Sequence, residues 1–154
     1  MHALCRIVIA FALLLGVLAP PLVSAGDPGP PPDDAAARPA EVDWTHAQRY
    51  DVVLSEFAFA PERIILRQGQ PYTLRLENRG WFRHTFTAPE FFRTVAFRPG
   101  RAAGEVEQSG GGLSIAAGEV EEVSLVPLRA GTYALECTKP LHGVFGMTGS
   151  IVVQ

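Results

Sequence analysis

From Tyr50 onward, apolar and polar side chains alternate with a period of two, in short runs rich in β-branched and aromatic residues and bounded by turn residues. Such a pattern suits a pleated strand with one buried face, whereas an amphipathic helix repeats its apolar positions every three to four residues. Runs at residues 50–57, 63–67, 72–77, 82–87, 113–115, 120–126, 131–137 and 149–153 predict an all-β domain of seven to eight strands. In the 72–77 run Tyr72, Leu74 and Leu76 share one face. Asn78-Arg79-Gly80 reads as a turn, and Gly110-Gly111-Gly112 as a loose connection. Residues 88–95 are expected to make a short helical or irregular excursion, and no long stretch has helical spacing. Strands of this length and spacing fit a sandwich of two sheets.

The N-terminal part has a different character. Arg6 alone precedes an apolar run from Ile7 to Leu18, and Val23-Ser24-Ala25 offers small residues for cleavage, so residues 1–25 read as a secretory signal peptide. A membrane span needs about 20 apolar residues, and Pro20 and Pro21 interrupt the run first. A periplasmic or otherwise exported protein is expected, with no stable membrane insertion after cleavage. Residues 26–43, rich in Pro, Ala and Asp, have little to bury and predict a disordered linker. Residues 44–154 then form one domain. The net charge of −3 becomes −4 on loss of Arg6, and no basic cluster accompanies it, which argues against nucleic acid as a partner.

Cleavage after Ala25 removes Cys5, His2 and Met1, leaving Cys137 and Met147 as the sole cysteine and methionine, beside His46, His84 and His142. A lone thiol in an oxidising compartment is prone to oxidation, and metal ligation gives a reason for keeping it. Cys137, His142 and Met147 lie together in the stretch CTKPLHGVFGM. A thiolate, an imidazole and a thioether are three members of the Cys, two His and weak axial Met set that binds copper in electron-transfer sites. Strand parity turns Cys137 inward with Tyr133 and Leu135, and Met147 inward with Ile151 and Val153. For the second imidazole His84 is the better candidate. It shares a face with Phe82 and Phe86, whereas His46 stands at the margin of the linker. Taken singly, each of these residues is more simply a core or loop side chain; copper accounts for them together.

The run Phe57 to Pro61, the GQPYTLRLEN run ending at Asn78, His84, the AGTYALEC run ending at Cys137 and the final GMTGSIVV resemble the cupredoxins, small blue-copper proteins, over nearly all of residues 50–154. The resemblance implies a cupredoxin-like Greek-key β-sandwich of two sheets and one type 1 copper ion on His84, Cys137, His142 and Met147. Many members carry asparagine after the first histidine, where this chain has Thr85; a related tie between Thr85 and Thr138 is expected in its place. FRHTFTAPEFF also resembles cupredoxin-like domains associated with periplasmic iron uptake, which often lack a complete ligand set.

The function expected is therefore an electron carrier cycling between Cu(I) and Cu(II), a monomer that meets a redox protein partner transiently. Phe82, Phe86, Leu141, Val144 and Phe145 are expected to surround the metal with apolar matter and raise its potential. Leu141, Val144 and Phe145, around His142, are the candidate docking residues. The alternative is a copper-handling or metal-uptake accessory protein, though such proteins often use several Met or His and the mature chain has few. An oxidase or nitrite reductase needs further copper centres, and only His46 remains to build one.

Overall fold

A computed structural model describes residues 42–140 and 145–154. The signal-like leader, the linker as far as Glu41, and Leu141, His142, Gly143 and Val144 lie outside the described residues. Asp43 caps a short 3-10 turn over Trp44–His46 by accepting the Thr45 N–H at 3.0 Å.

The strands are β1 (Gln48–Ser55), β2 (Ala58–Ala60), β3 (Arg63–Leu66), β4 (Tyr72–Asn78), β5 (His84–Thr87), β6 (Val95–Phe97), β7 (Gly112–Ile115), β8 (Val120–Pro127), β9 (Gly131–Glu136) and β10 (Thr148–Val153). Two helices interrupt them, α1 (Pro89–Phe92) and α2 (Arg101–Ser109). One sheet runs β2-β1-β4-β8-β6 and the other β3-β10-β9-β5-β7. Most neighbours are antiparallel, but β1 runs parallel to β4 and β3 parallel to β10. The inward faces interdigitate as period-two alternation requires. Val52, Leu54, Leu74, Leu76, Val123 and Leu125 come from the first sheet and meet Ile64, Leu66, Phe86, Leu113, Ile115, Leu135, Ile151 and Val153 from the second. Phe86 sits between Phe59 and Phe92, with ring centroids 6.0 and 6.1 Å away. Each fully buried Leu, Ile or Phe contributes about 1.5–3 kcal/mol relative to its exposed state, so the inward stripes hold the sandwich together.

The all-β sandwich expected from the alternation is present, with four corrections. Ten strands, not seven to eight, are found among the described residues, because a two-residue turn at Glu56-Phe57 splits the first run into β1 and β2 and residues 95–97 join the first sheet. The nine-residue helix α2 was not expected. Its apolar face consists of Ala102, Ala103 and Val106, too small and too few to stand out as a helical stripe. Gly110-Gly111-Gly112 is not a loose connection: Gly110 closes α2 in the left-handed conformation at φ 75°, and Gly112 starts β7 opposite Thr87. Finally, β5 begins at His84, so Phe82 lies outside it and is 63% exposed.

Candidate metal centre

Three of the four residues singled out for copper belong to strand ends of the second sheet. His84 opens β5 opposite Ile115 of β7 and is completely buried. Cys137 follows the last residue of β9, Met147 precedes the first of β10, and both side chains are buried. The Cys137 N–H donates to the Met147 carbonyl at 3.1 Å, continuing the β9–β10 ladder beyond its Thr148–Glu136 pair. The thiol and the imidazole meet, with Cys137 Sγ 3.9 Å from His84 Nδ1.

That separation suits a shared metal. Bonds of about 2.0–2.1 Å to nitrogen and about 2.3 Å to sulfur, as a first-row ion such as zinc makes, put the two donors about 3.8 Å apart at a trigonal angle. The donor chemistry fits as well, since a thiolate and an imidazole are among the ligands that would hold copper in an electron-transfer site. His142 lies outside the described residues. His46 is far from buried, and its Nδ1 pairs instead with Asp43 Oδ2 at 2.7 Å on the surface.

Thr85 and Thr138 bracket the thiol. The Thr138 N–H donates to Thr85 Oγ1 at 2.8 Å, and the two hydroxyls are 3.1 Å apart. Thr85 also faces the sulfur, with its backbone N–H donating at 3.4 Å and its hydroxyl 3.7 Å away. Donors directed at sulfur draw electron density from it.

Asn78, Glu56 and Gly80 complete the support of His84, and none was singled out for this role from the sequence. Asn78, at the end of β4, is fully buried with its amide satisfied on every side. Its Nδ2 donates to the Phe82 carbonyl at 2.8 Å and to the Ile115 carbonyl at 2.9 Å, while its Oδ1 accepts the Gly80 N–H at 2.9 Å. The turn leading to His84 is thus fastened to β7. Glu56 accepts the Trp81 N–H, the principal reason its carboxyl is held below the usual carboxylate range, and its Oε1 lies 3.8 Å from His84 Nε2. A Cβ on Gly80 would lie 2.6 Å from Glu56 Oε1 and 2.8 Å from His84 Nε2, so only glycine leaves room for both. Asn-Arg-Gly was legible as a turn, but nothing in the sequence distinguished Glu56 from the surface carboxylates.

The apolar surroundings differ from expectation. Phe86 is buried, whereas Phe82 and Phe145 are 63% and 62% exposed and stand at the rim. Phe145 packs edge to face on Phe57 at 5.4 Å, and Trp81 is exposed nearby in sequence. Phe82 and Phe145 therefore do not enclose the site, because each sits on a turn next to a strand and not within it.

Two mixed five-stranded sheets face to face, with His84 and Cys137 in contact at the strand ends, give this chain the cupredoxin fold. Solved structures share it. Dithionite-reduced auracyanin from the photosynthetic bacterium Roseiflexus castenholzii superimposes with a TM-score of 0.51 and 18% identity, covering 70% of this chain and 98% of that one. Auracyanin B gives a TM-score of 0.51 and 23% identity over 73% of this chain and 93% of that one. The McoA multicopper oxidase of Aquifex aeolicus gives a TM-score of 0.55 and 14% identity over 73% of this chain, which spans 30% of the oxidase. At these identities the likeness is one of fold. No protein-family model and no curated protein sequence matches the chain.

Proposed function

We propose that the chain is an exported type 1 copper protein that carries electrons between redox partners, with His84, Cys137, His142 and Met147 as its ligands. The observation that carries this reading is the buried contact of Cys137 Sγ with His84 Nδ1 at 3.9 Å, at the end of a cupredoxin sandwich and beside a buried Met147. Copper bound there would supply one-electron chemistry between Cu(I) and Cu(II).

The protein's own residues suit that task. Cys137 and Met147 are held in register by their backbone hydrogen bond, and His84 by the Asn78 clamp, so ligand rearrangement between oxidation states is restricted. Burial of the three side chains limits access of water. Thr85 directs its N–H at the thiolate and moderates its charge. His142, between Leu141 and Val144, is proposed as the fourth ligand and the point of electron exit. The exposed Phe145 and Phe57 offer a small apolar rim for brief docking of a redox protein by a monomeric carrier, since such encounters use small interfaces. Export is supported by the signal-like N-terminal pattern. A carrier is preferred to a copper-handling protein or an enzyme because the sequence after Ala25 has only one Cys, one Met and three His, enough for a single fixed site.

Addition of Cu(II) to the purified chain is the test. An intense blue or green colour with narrow copper hyperfine splitting is expected, lost in Cys137→Ser and kept in His46→Ala. A colourless, weakly held adduct would overturn the assignment. Fast electron self-exchange with slow copper loss to an acceptor separates a carrier from a delivery protein.

A further inference from the structure

Glu56 occupies the first position of the two-residue turn between β1 and β2, and Phe57 occupies the second with φ 63°. A non-glycine residue in the left-handed region is uncommon and unfavourable, and such positions concentrate where the chain is held in a functional geometry. Here the turn carries the Glu56 carboxylate across to the segment before β5. There it accepts the Trp81 N–H and approaches His84 Nε2 at 3.8 Å. The opposite edge of the same ring presents Nδ1 to Cys137 Sγ. The imidazole is thus placed between a carboxylate and a thiol, one at each nitrogen, with Gly80 leaving the space that the carboxylate and ring occupy.

We propose that Glu56 is a positioning residue for His84, whose negative charge favours the tautomer with the proton on Nε2 and so leaves the Nδ1 lone pair facing Cys137 before a metal arrives. The physical basis is the one that governs metal-binding histidines generally, in which a carboxylate or carbonyl beside the remote ring nitrogen sets tautomer and orientation and raises ligand basicity. At 3.8 Å the carboxylate is beyond hydrogen-bond range, and it acts through its charge on the N–H dipole. Glu56 faces the ring edge opposite the one that meets the thiol, so its effect on the geometry of the pair passes through the ring. The purpose of the arrangement rests on the copper reading, but its signature is a property of the metal-free protein.

The test uses the whole chain labelled with 15N, without metal, at a pH where the ring is neutral. Two-bond correlations of His84 are expected to show Nε2 protonated and Nδ1 bare. In Glu56→Gln, which keeps an acceptor for Trp81 but not the charge, the two nitrogen shifts are expected to move toward each other. A proton on Nδ1 in the wild type, or unchanged shifts in the variant, would overturn the proposal; if the variant fails to fold, the wild-type tautomer alone decides. Loaded with copper, Glu56→Gln is expected to bind about 10-fold more weakly and to show a more positive reduction potential, because a charge that favours Cu(II) has been removed. A wild type that shows the Nε2–H tautomer but stays colourless with copper overturns the electron-carrier reading and leaves the role of Glu56 supported.

Discussion

The backbone N–H of Thr138 donates to the side-chain oxygen of Thr85 at 2.8 Å, so the residue after the cysteine is tied to the residue after the histidine. One hydroxyl therefore couples β5 to the segment leaving β9 and holds the imidazole and the thiol at a fixed spacing.

Thr85→Val keeps the shape and the strand preference but removes that acceptor. The metal-free protein is expected to lose about 1 kcal/mol in denaturant unfolding, with Thr85→Ser close to wild type. In the copper form Thr85→Val is expected to lower the reduction potential, because a hydroxyl 3.7 Å from the thiolate no longer moderates its charge. Voltammetry on both variants checks the second part.

Asn78 satisfies two carbonyls and one N–H from a fully buried position. Asn78→Ala leaves all three without this partner and is expected to cost about 3 kcal/mol, seen as a fall in Tm by about 10 °C or more. Asn78→Asp is expected to do no better at neutral pH, since a carboxylate has no hydrogen to give Phe82 or Ile115.

Phe57 inverts the usual ranking of alanine and glycine. Both Phe57→Ala and Phe57→Gly remove the ring that packs on Phe145, but only alanine keeps the cost of a positive φ. The glycine variant is expected to be the more stable of the two by about 1 kcal/mol, measured by chemical denaturation. The reverse order would show that the turn relaxes out of this conformation.

Glu77 gives the pH dependence. Hydrogen bonds from Arg79 and then Arg75 lower its carboxyl to about 2. A carboxyl depressed in the folded state stabilises above its unfolded value, 4.5, and loses that contribution as pH falls toward 2. Glu77→Gln is therefore expected to be less stable than wild type at pH 7, with the gap narrowing below pH 4.5 and closing near pH 2. Unfolding curves at four or five pH values suffice.

Much of the fold was legible because burial follows strand parity: Tyr72, Leu74 and Leu76 were read as one face and are all buried, and so are the inward-read Cys137 and Met147. Where spacing carried no signal, reading stopped. Helix α2 buries only Ala102, Ala103 and Val106, and the first strand run concealed a hairpin because Phe57 does not advertise a positive φ as glycine does. Parity also failed past a strand end, which is why Phe82 was placed inside with His84 and stands outside. The thiol and imidazole were nameable as residue types suited to copper, but Asn78, Glu56 and Gly80 act through tertiary approach, which a linear pattern does not record.

The parallel pairing of β10 with β3 sets Ile151 beside Ile64, joining the end of the described chain to its early part. Met147, one residue before β10, is also joined to Cys137 by the nearer β9–β10 hairpin, whereas His84 is held by Asn78 and Ile115 from β4 and β7. Closing the loop between β3 and β10 costs more chain entropy than closing the one between β9 and β10. The hairpin that gathers Cys137 and Met147 thus needs only a short loop to close, whereas His84 is brought to them by the pairing of β5 with β9, across a much longer stretch of chain.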